Sequence, residues 1–149
     1  MIVELNRRPE RRSYGPTAVD LPMKPATPSA SPVVAVFGHP GRVAALPGHL
    51  PTGWSLRRPR DLDDVRPGEI VLFTAATVAD IALARAVLPP RTRVVALVDA
   101  DAAAELVAGV LTAGADVCVR GGHPAILASH LVACRRRAVA DRWSDRTPG

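Results

Sequence analysis

The sequence predicts an α/β protein: a doubly wound, parallel sheet of about five strands with helices on both faces. Three observations lead there. Short apolar runs without alternation recur within residues 33–37, 69–73, 93–98 and 117–119, and such runs read as strands buried on both faces. Between them lie stretches with helical spacing, closed by Pro or Gly. Aromatics are only 3% of the 149 residues, so the core must be built from Val, Leu, Ile and Ala. Strands alternating with helices pair in parallel, because a parallel neighbour needs a crossover.

Each element has its own signal. The first strand, residues 33–37, stops at Gly38. Residues 41–50 hold a short helix interrupted by Pro47 and Gly48, and residues 54–56 a second short strand. Residues 61–65 fit one helical turn, stopped by Pro67 and Gly68. A strand at 69–73 precedes a helix over 77–88, whose apolar positions (Val78, Ile81, Ala82, Leu88) repeat with helical spacing up to Pro89. After the strand at 93–98, Asp99 or Asp101 is expected to cap a helix over 102–113 that ends at Gly114. His123 and Pro124 open a last helix after the strand at 117–119, with an expected end near Arg142.

Charge and proline mark the boundaries. Residues 1–32 carry five Lys and Arg against three Asp and Glu, residues 33–134 nine of each, and residues 135–149 five against two. The excess of positive charge therefore lies at the two ends, whereas a nucleic-acid-binding domain more often carries it on a folded face. Residues 1–32 also hold Pro9, Pro16, Pro22, Pro25, Pro28 and Pro32, a density that blocks helices and sheet ladders. The expected organisation is a flexible Pro/Arg-rich tail over 1–32, an α/β domain over 33–142, and a C-terminal tail over 143–149. Residues 1–5 (Met-Ile-Val-Glu-Leu) alternate briefly, and read either as a frayed terminus or as an edge strand. No apolar run is long enough to span a bilayer, and the N-terminus lacks the apolar region of a secretory signal. The expectation is a cytoplasmic protein with no membrane contact. Cys118 and Cys134 lie in apolar contexts without a CxxC, and read as small buried hydrophobes.

The residues 93–137, RVVALVDADAAAELVAGVLTAGADVCVRGGHPAILASHLVACRRR, resemble the last third of a response-regulator receiver domain. The pattern is strand four, helix four, Gly-Ala-Asp, strand five, a polar turn with Pro, and helix five ending in basic residues. Gly114-Ala115-Asp116 before Val117-Cys118-Val119 is its most specific piece. Residues 68–73 resemble receiver strand three and residues 33–37 strand one. The resemblance covers residues 33 to about 140, is weakest over 38–67, and implies a flavodoxin-like fold.

The receiver's catalytic residues do not carry over. Where receivers hold Mg²⁺ with two adjacent acids after strand one, this sequence has Phe37, Gly38 and His39. The phosphoacceptor Asp aligns with Thr74, the Ser/Thr of strand four with Val98, and the Lys after strand five with Gly121, one position beyond Arg120. Phosphoryl acceptance needs a carboxylate nucleophile, a metal held by acids and cations on the phosphoryl oxygens. The chain is thus expected to be a pseudo-receiver.

Other constellations are weaker. Gly38-His39-Pro40-Gly41-Arg42 matches no phosphate loop, and Pro40 removes a backbone donor. A crevice at the C-terminal edge of the sheet, lined by His39, Arg42, Thr74, Asp99 and Arg120, is a candidate small-ligand site. Asp99 and Asp101 read as helix caps, with metal binding as the alternative. The four histidines (His39, His49, His123, His130) match no ligand spacing, and no nucleophile elbow is present. No enzymatic activity, cofactor or metal is expected.

The receiver resemblance implies a partner surface on helices four and five, with Leu106, Val110, Ile126, His130 and Arg135 as its candidate residues. Homodimerisation through the same helices is a further expectation. Degenerate receivers usually precede an effector, such as a DNA-binding protein or an ATPase. None follows within the seven residues after Arg142, so the effector is expected on another polypeptide, with Arg135-Arg136-Arg137 and Trp143 as candidate contacts. The basic run reads first as pairing with the negative end of the helix dipole. The leading expectation is a non-catalytic adaptor in signal transduction. The alternatives are small-ligand sensing in the crevice, and nucleic-acid association through the basic ends, which would be steeply salt-dependent.

Overall fold

A computed structural model describes residues 31–146, and the side chains of 31–142. The expected tail over 1–32 thus lies almost wholly outside the described residues, as do the edge-strand reading of residues 1–5 and the Trp143 contact.

Five parallel strands form one sheet: β1 (Val33–Phe37), β2 (Ser55–Arg57), β3 (Ile70–Phe73), β4 (Val94–Val98) and β5 (Val117–Arg120). Their spatial order is β2-β1-β3-β4-β5, the flavodoxin-type order. In β1, Val34 lies opposite Ile70 of β3 on one side, and opposite Leu56 of β2 on the other. Pleating then divides each strand between two cores. Val34, Val36, Ile70, Leu72, Val95, Leu97 and Val119 face one way, toward the long helix α3 (Pro124–Arg146) and Leu46. Ala35, Val71, Phe73, Val94, Ala96 and Val98 face the other, toward α1 (Val78–Val87) and α2 (Ala104–Ala113). Both faces are covered, which is why the strand sequences do not alternate. Cys134 is buried in the first core and Cys118 is half-buried beside the second; both are free thiols.

The early crossovers are trimmed. Between β1 and β2 the chain makes only two short 3-10 turns, Pro40–Val43 and Leu46–His49. Pro40 and Pro47 suit the first turn of such segments, but deny the donors a longer helix needs. A third turn, Leu62–Asp64, leads toward β3, and Asp61 caps it by accepting the Asp64 N–H.

α1 starts at a capping box: the Thr77 hydroxyl accepts the Asp80 N–H, and the Asp80 carboxylate accepts the Thr77 N–H, both at 3.1 Å. Such a cap contributes about 1 kcal/mol. Ile81, Ala84 and Leu88 face the sheet, and Pro89 stops the helix. α2 corrects the sequence reading. Its N-cap is Ala103, without a side-chain bond, so neither Asp99 nor Asp101 caps it. A turn from Asp99 to Ala102 intervenes, closed by the Ala102 N–H on the Asp99 carbonyl at 3.0 Å. α2 ends as expected at Gly114, whose φ of 128° lets its N–H reach back to Leu111 and Val110.

α3 runs to Arg146, beyond the expected end near Arg142, because no Gly or Pro interrupts it before Pro148. This also corrects the reading of Arg135-Arg136-Arg137. These residues lie mid-helix, several turns from the C-terminus, where the dipole no longer favours cations.

Candidate functional site

The sequence-predicted site lies at the C-terminal edge of the sheet, where β1, β3, β4 and β5 end. Here the structure brings Phe37, Gly38 and Thr74 together. The Phe37 ring stacks on Phe73, with centroids 5.3 Å apart. Thr74 is fully buried, and both its N–H (2.9 Å) and its hydroxyl (3.2 Å) donate to the Phe37 carbonyl. Gly38 has φ of 103°, and a Cβ there would lie 2.2 Å from Thr74 Oγ1. The threonine hydroxyl thus occupies the room that the glycine leaves.

This arrangement decides the chemistry of Thr74. Its proton is committed to a carbonyl, and its oxygen is sealed from solvent. Hydroxyl nucleophiles need an adjacent base, and among the described residues the hydroxyl's only hydrogen bond is to the Phe37 carbonyl. Thr74 therefore does not line an open crevice, which corrects its place in the candidate ligand set.

The rest of that set is spread along the rim. Arg42, from the first 3-10 turn, donates to Asp99 at 2.8 Å, and both side chains are largely exposed. An exposed pair of this kind is worth about 0–1 kcal/mol. It ties the loop after β1 to the loop after β4 across the crevice. His39 and Arg120 are exposed on the same edge. Val98 is buried, and opposes Arg120 in the sheet. The Gly121 N–H donates to the Val98 carbonyl at 2.9 Å. The five positions that the receiver resemblance assigns to phosphotransfer therefore hold two glycines, a valine, a stacked phenylalanine and a sealed threonine. Among the described residues, no group of three His, Cys, Asp or Glu could hold a metal ion.

The candidate partner residues divide differently from the expectation. Val110 is fully buried against the second core, so it cannot touch a partner. The exposed apolar position on α2 is its neighbour Leu111, at 43%. A rotation of one residue, about 100° on a helix, makes that difference. Leu106 is half-buried against the same core. On α3, Ile126 is 54% exposed, and His130 lies one turn further on the same side. Arg135 is nine residues beyond Ile126, half a turn round the helix, and lines a cleft elsewhere. It does not belong to the same face. What remains is Leu111 on the helix over one face of the sheet and Ile126 on the helix over the other, on the elements that enter and leave β5. β5 is an end strand, with β4 as its only strand neighbour among the described residues.

Sequence reasoning missed one ionic cluster. Arg57, at the end of β2, donates to Glu69 from Nε (2.8 Å) and Nη2 (2.9 Å). It also donates to the Asp64 carboxylate at 3.3 Å and to the Asp64 carbonyl. Burial pushes the Glu69 carboxyl up, but Arg57 and the Arg66 N–H outweigh it, so the group sits below the usual range. The hydrogen bond to Glu69 leads in raising the Arg57 pKa. The only sequence signal was a lone Glu at the mouth of an apolar run. The cluster clamps the trimmed β2–β3 connection to the sheet.

No helix among the described residues is long and apolar enough to cross a membrane. Comparison with models of known protein families and with curated proteins finds no match to this chain.

Proposed function

We propose that this chain is a non-catalytic regulatory or adaptor protein of the pseudo-receiver kind, acting in the cytoplasm by protein–protein contact rather than by phosphotransfer. The observation that carries the reading is Thr74: at the position of the receiver phosphoacceptor stands a buried hydroxyl bonded to the Phe37 carbonyl and packed on Gly38. A domain that keeps the doubly wound sheet but fills its reactive edge retains surfaces and loses chemistry. The surface we favour is the margin of β5. An end strand offers unpaired backbone N–H and C=O groups to a partner. Single exposed apolar residues are ordinary, but Leu111 and Ile126 lie on the two helices that enter and leave this end strand.

The test is a tagged pull-down from the native cell at moderate salt, using the full chain, a version beginning at Pro32, and the full chain with L111D or I126D. One stoichiometric partner, retained by the full chain and reduced about tenfold by either substitution, supports the reading. Loss on removing residues 1–31 assigns the contact to the N-terminal segment instead. Retention of no specific partner by any version sinks the adaptor reading.

A further inference from the structure

The face of the sheet that carries α3 is unevenly covered. Near the carboxyl ends of β1 and β2 its cover is the first crossover, which among its elements has only the two 3-10 turns, Pro40–Val43 and Leu46–His49. Such turns occur in short pieces and cover less than a helix would. Between them and the sheet lies a pocket of about 160 Å³. Val36 and Leu56 line it from the strands, and Pro40, Val43 and Pro47 from the turns.

Pleating brings one cation to this apolar pocket. Leu56 lies opposite Val34 in the sheet, so Leu56 and Val36 face the same side, toward the first core. Arg57 turns to the other side, where Glu69 and Asp64 hold it. Arg58, one step beyond the end of β2, returns to the side of Leu56 and lines the pocket. It is the one charged group among the described lining residues. Its side chain is exposed, and no carboxylate among the described residues pairs with it. The walls offer few other donors. Pro40 and Pro47 have no N–H, and the Ala44 N–H is spent on the Gly41 carbonyl at 3.4 Å.

We propose that this pocket binds a small aliphatic carboxylate, as the free anion, with its carbon body against the apolar walls and its carboxylate on Arg58. A single guanidinium matches a single negative charge, and its planar fork matches both carboxylate oxygens. A phosphoryl dianion would keep one charge unpaired, and a cationic ligand would meet no carboxylate in the lining. The pocket has the volume of about five waters at about 30 Å³ each, which suits a branched body of about four carbons. It is below the roughly 300 Å³ at which pockets for larger ligands begin. Its place agrees with the rule that open α/β sheets take ligands beyond the carboxyl ends of their strands. The bound acid would fasten the first crossover to the end of β2. The site lies apart from Thr74 and from β5, and does not rest on the adaptor reading.

The test is a chemical-shift titration of the isotope-labelled full chain with isovalerate, at constant pH and at constant ionic strength balanced with chloride. Acetate carries the same head without the body, and isovaleramide the same body without the charge. R58Q removes the pocket cation, and R60Q removes an exposed arginine two residues on, as the control for net charge. The expected result is a saturable shift of the amides of Val36, Val43, Ala44 and Leu56. R58Q should weaken binding about tenfold or more and R60Q should leave it unchanged, with acetate and isovaleramide each about tenfold or more weaker than isovalerate. The proposal is overturned by absence of a saturable shift with isovalerate, by R58Q binding like the parent chain, by R60Q weakening binding as much as R58Q, or by acetate or isovaleramide binding as tightly as isovalerate.

Discussion

Thr74 and Gly38 form an interlocked pair. The Thr74 hydroxyl donates to the Phe37 carbonyl at 3.2 Å, from a position 2.2 Å from where a Cβ on Gly38 would stand. The glycine is needed twice, for its positive φ of 103° and for the room it leaves.

The pairing can be measured. We expect G38A to destabilise the domain by about 2–4 kcal/mol, from left-handed strain and overpacking together. In a T74A background the oxygen is gone, and the cost of G38A should fall to about the strain alone, 1–2 kcal/mol. Urea denaturation of the four proteins closes the cycle. Simple additivity of the two substitutions would show that the close approach is not what makes Gly38 necessary.

Placing an acid at position 74 should not create a phosphoryl acceptor. T74D would place a carboxylate beside a carbonyl oxygen in a fully buried site. We expect a loss of several kcal/mol, and no covalent phosphate after incubation with acetyl phosphate and Mg²⁺. The proposed receiver resemblance places Phe37 and Gly38 where metal-holding acids would be needed. A mass increase of one phosphoryl group on T74D would contradict the adaptor reading.

How far the sequence carried these conclusions depended on range. Strands buried on both faces write themselves as unbroken apolar runs, so β1, β3, β4 and β5 were legible within a residue or so. The apolar spacing of Val78, Ile81 and Leu88 placed α1 up to Pro89, whereas the capping box of Thr77 and Asp80 that starts it came only with the structure. Pro47 and Gly48 marked the helix of the first crossover as short. Features fixed by rotation or by distant partners were not legible. Whether Val110 or Leu111 faces the core turns on the phase of α2, and both are apolar. Asp99 reads as a cap by its neighbours, but its carboxylate goes to Arg42, 57 residues away. Arg57 finds Glu69, and Arg58 comes to one pocket with Pro40 and Pro47, only once the sheet is assembled.

Asp116 carries more structure than its place in a loop suggests. Its carboxylate accepts the Val94 N–H at 2.8 Å, Arg85 at 2.9 Å and Arg93 at 3.4 Å. It thereby ties the start of β4 to α1 and to the turn before β5. The Gly114 carbonyl next to it also accepts from Arg85, at 2.8 Å. We expect D116A to cost about 1–3 kcal/mol, since it leaves a backbone donor and two guanidiniums short of an acceptor. D116N, which keeps an acceptor but not the charge, should cost less. Equal stability of D116A and the parent chain in urea would show that solvent replaces these bonds.

Glu69 should make the domain sensitive to acid. Burial raises its carboxyl, but Arg57 and the Arg66 N–H at 2.8 Å outweigh that, and the net shift is downward. A carboxyl whose folded pKa lies below its unfolded value stabilises the fold fully above the unfolded value, about 4.3 for Glu. That contribution fades as pH falls toward and through the folded pKa. Asp64 is lowered as well, first by the Arg60 N–H and then, against its own desolvation, by Arg57, so it acts in the same direction. At pH 7, E69Q should cost about 1–3 kcal/mol, because a half-buried Arg57 loses its closest counter-charge. The gap between E69Q and the parent chain should then narrow steadily as pH drops below about 4.3, where the parent's own carboxyl takes up its proton. Denaturation curves for both proteins from pH 7 down to 3 make the comparison. A gap of constant size over that range would mean that Glu69 acts through shape and hydrogen bonding alone, with no contribution from its charge.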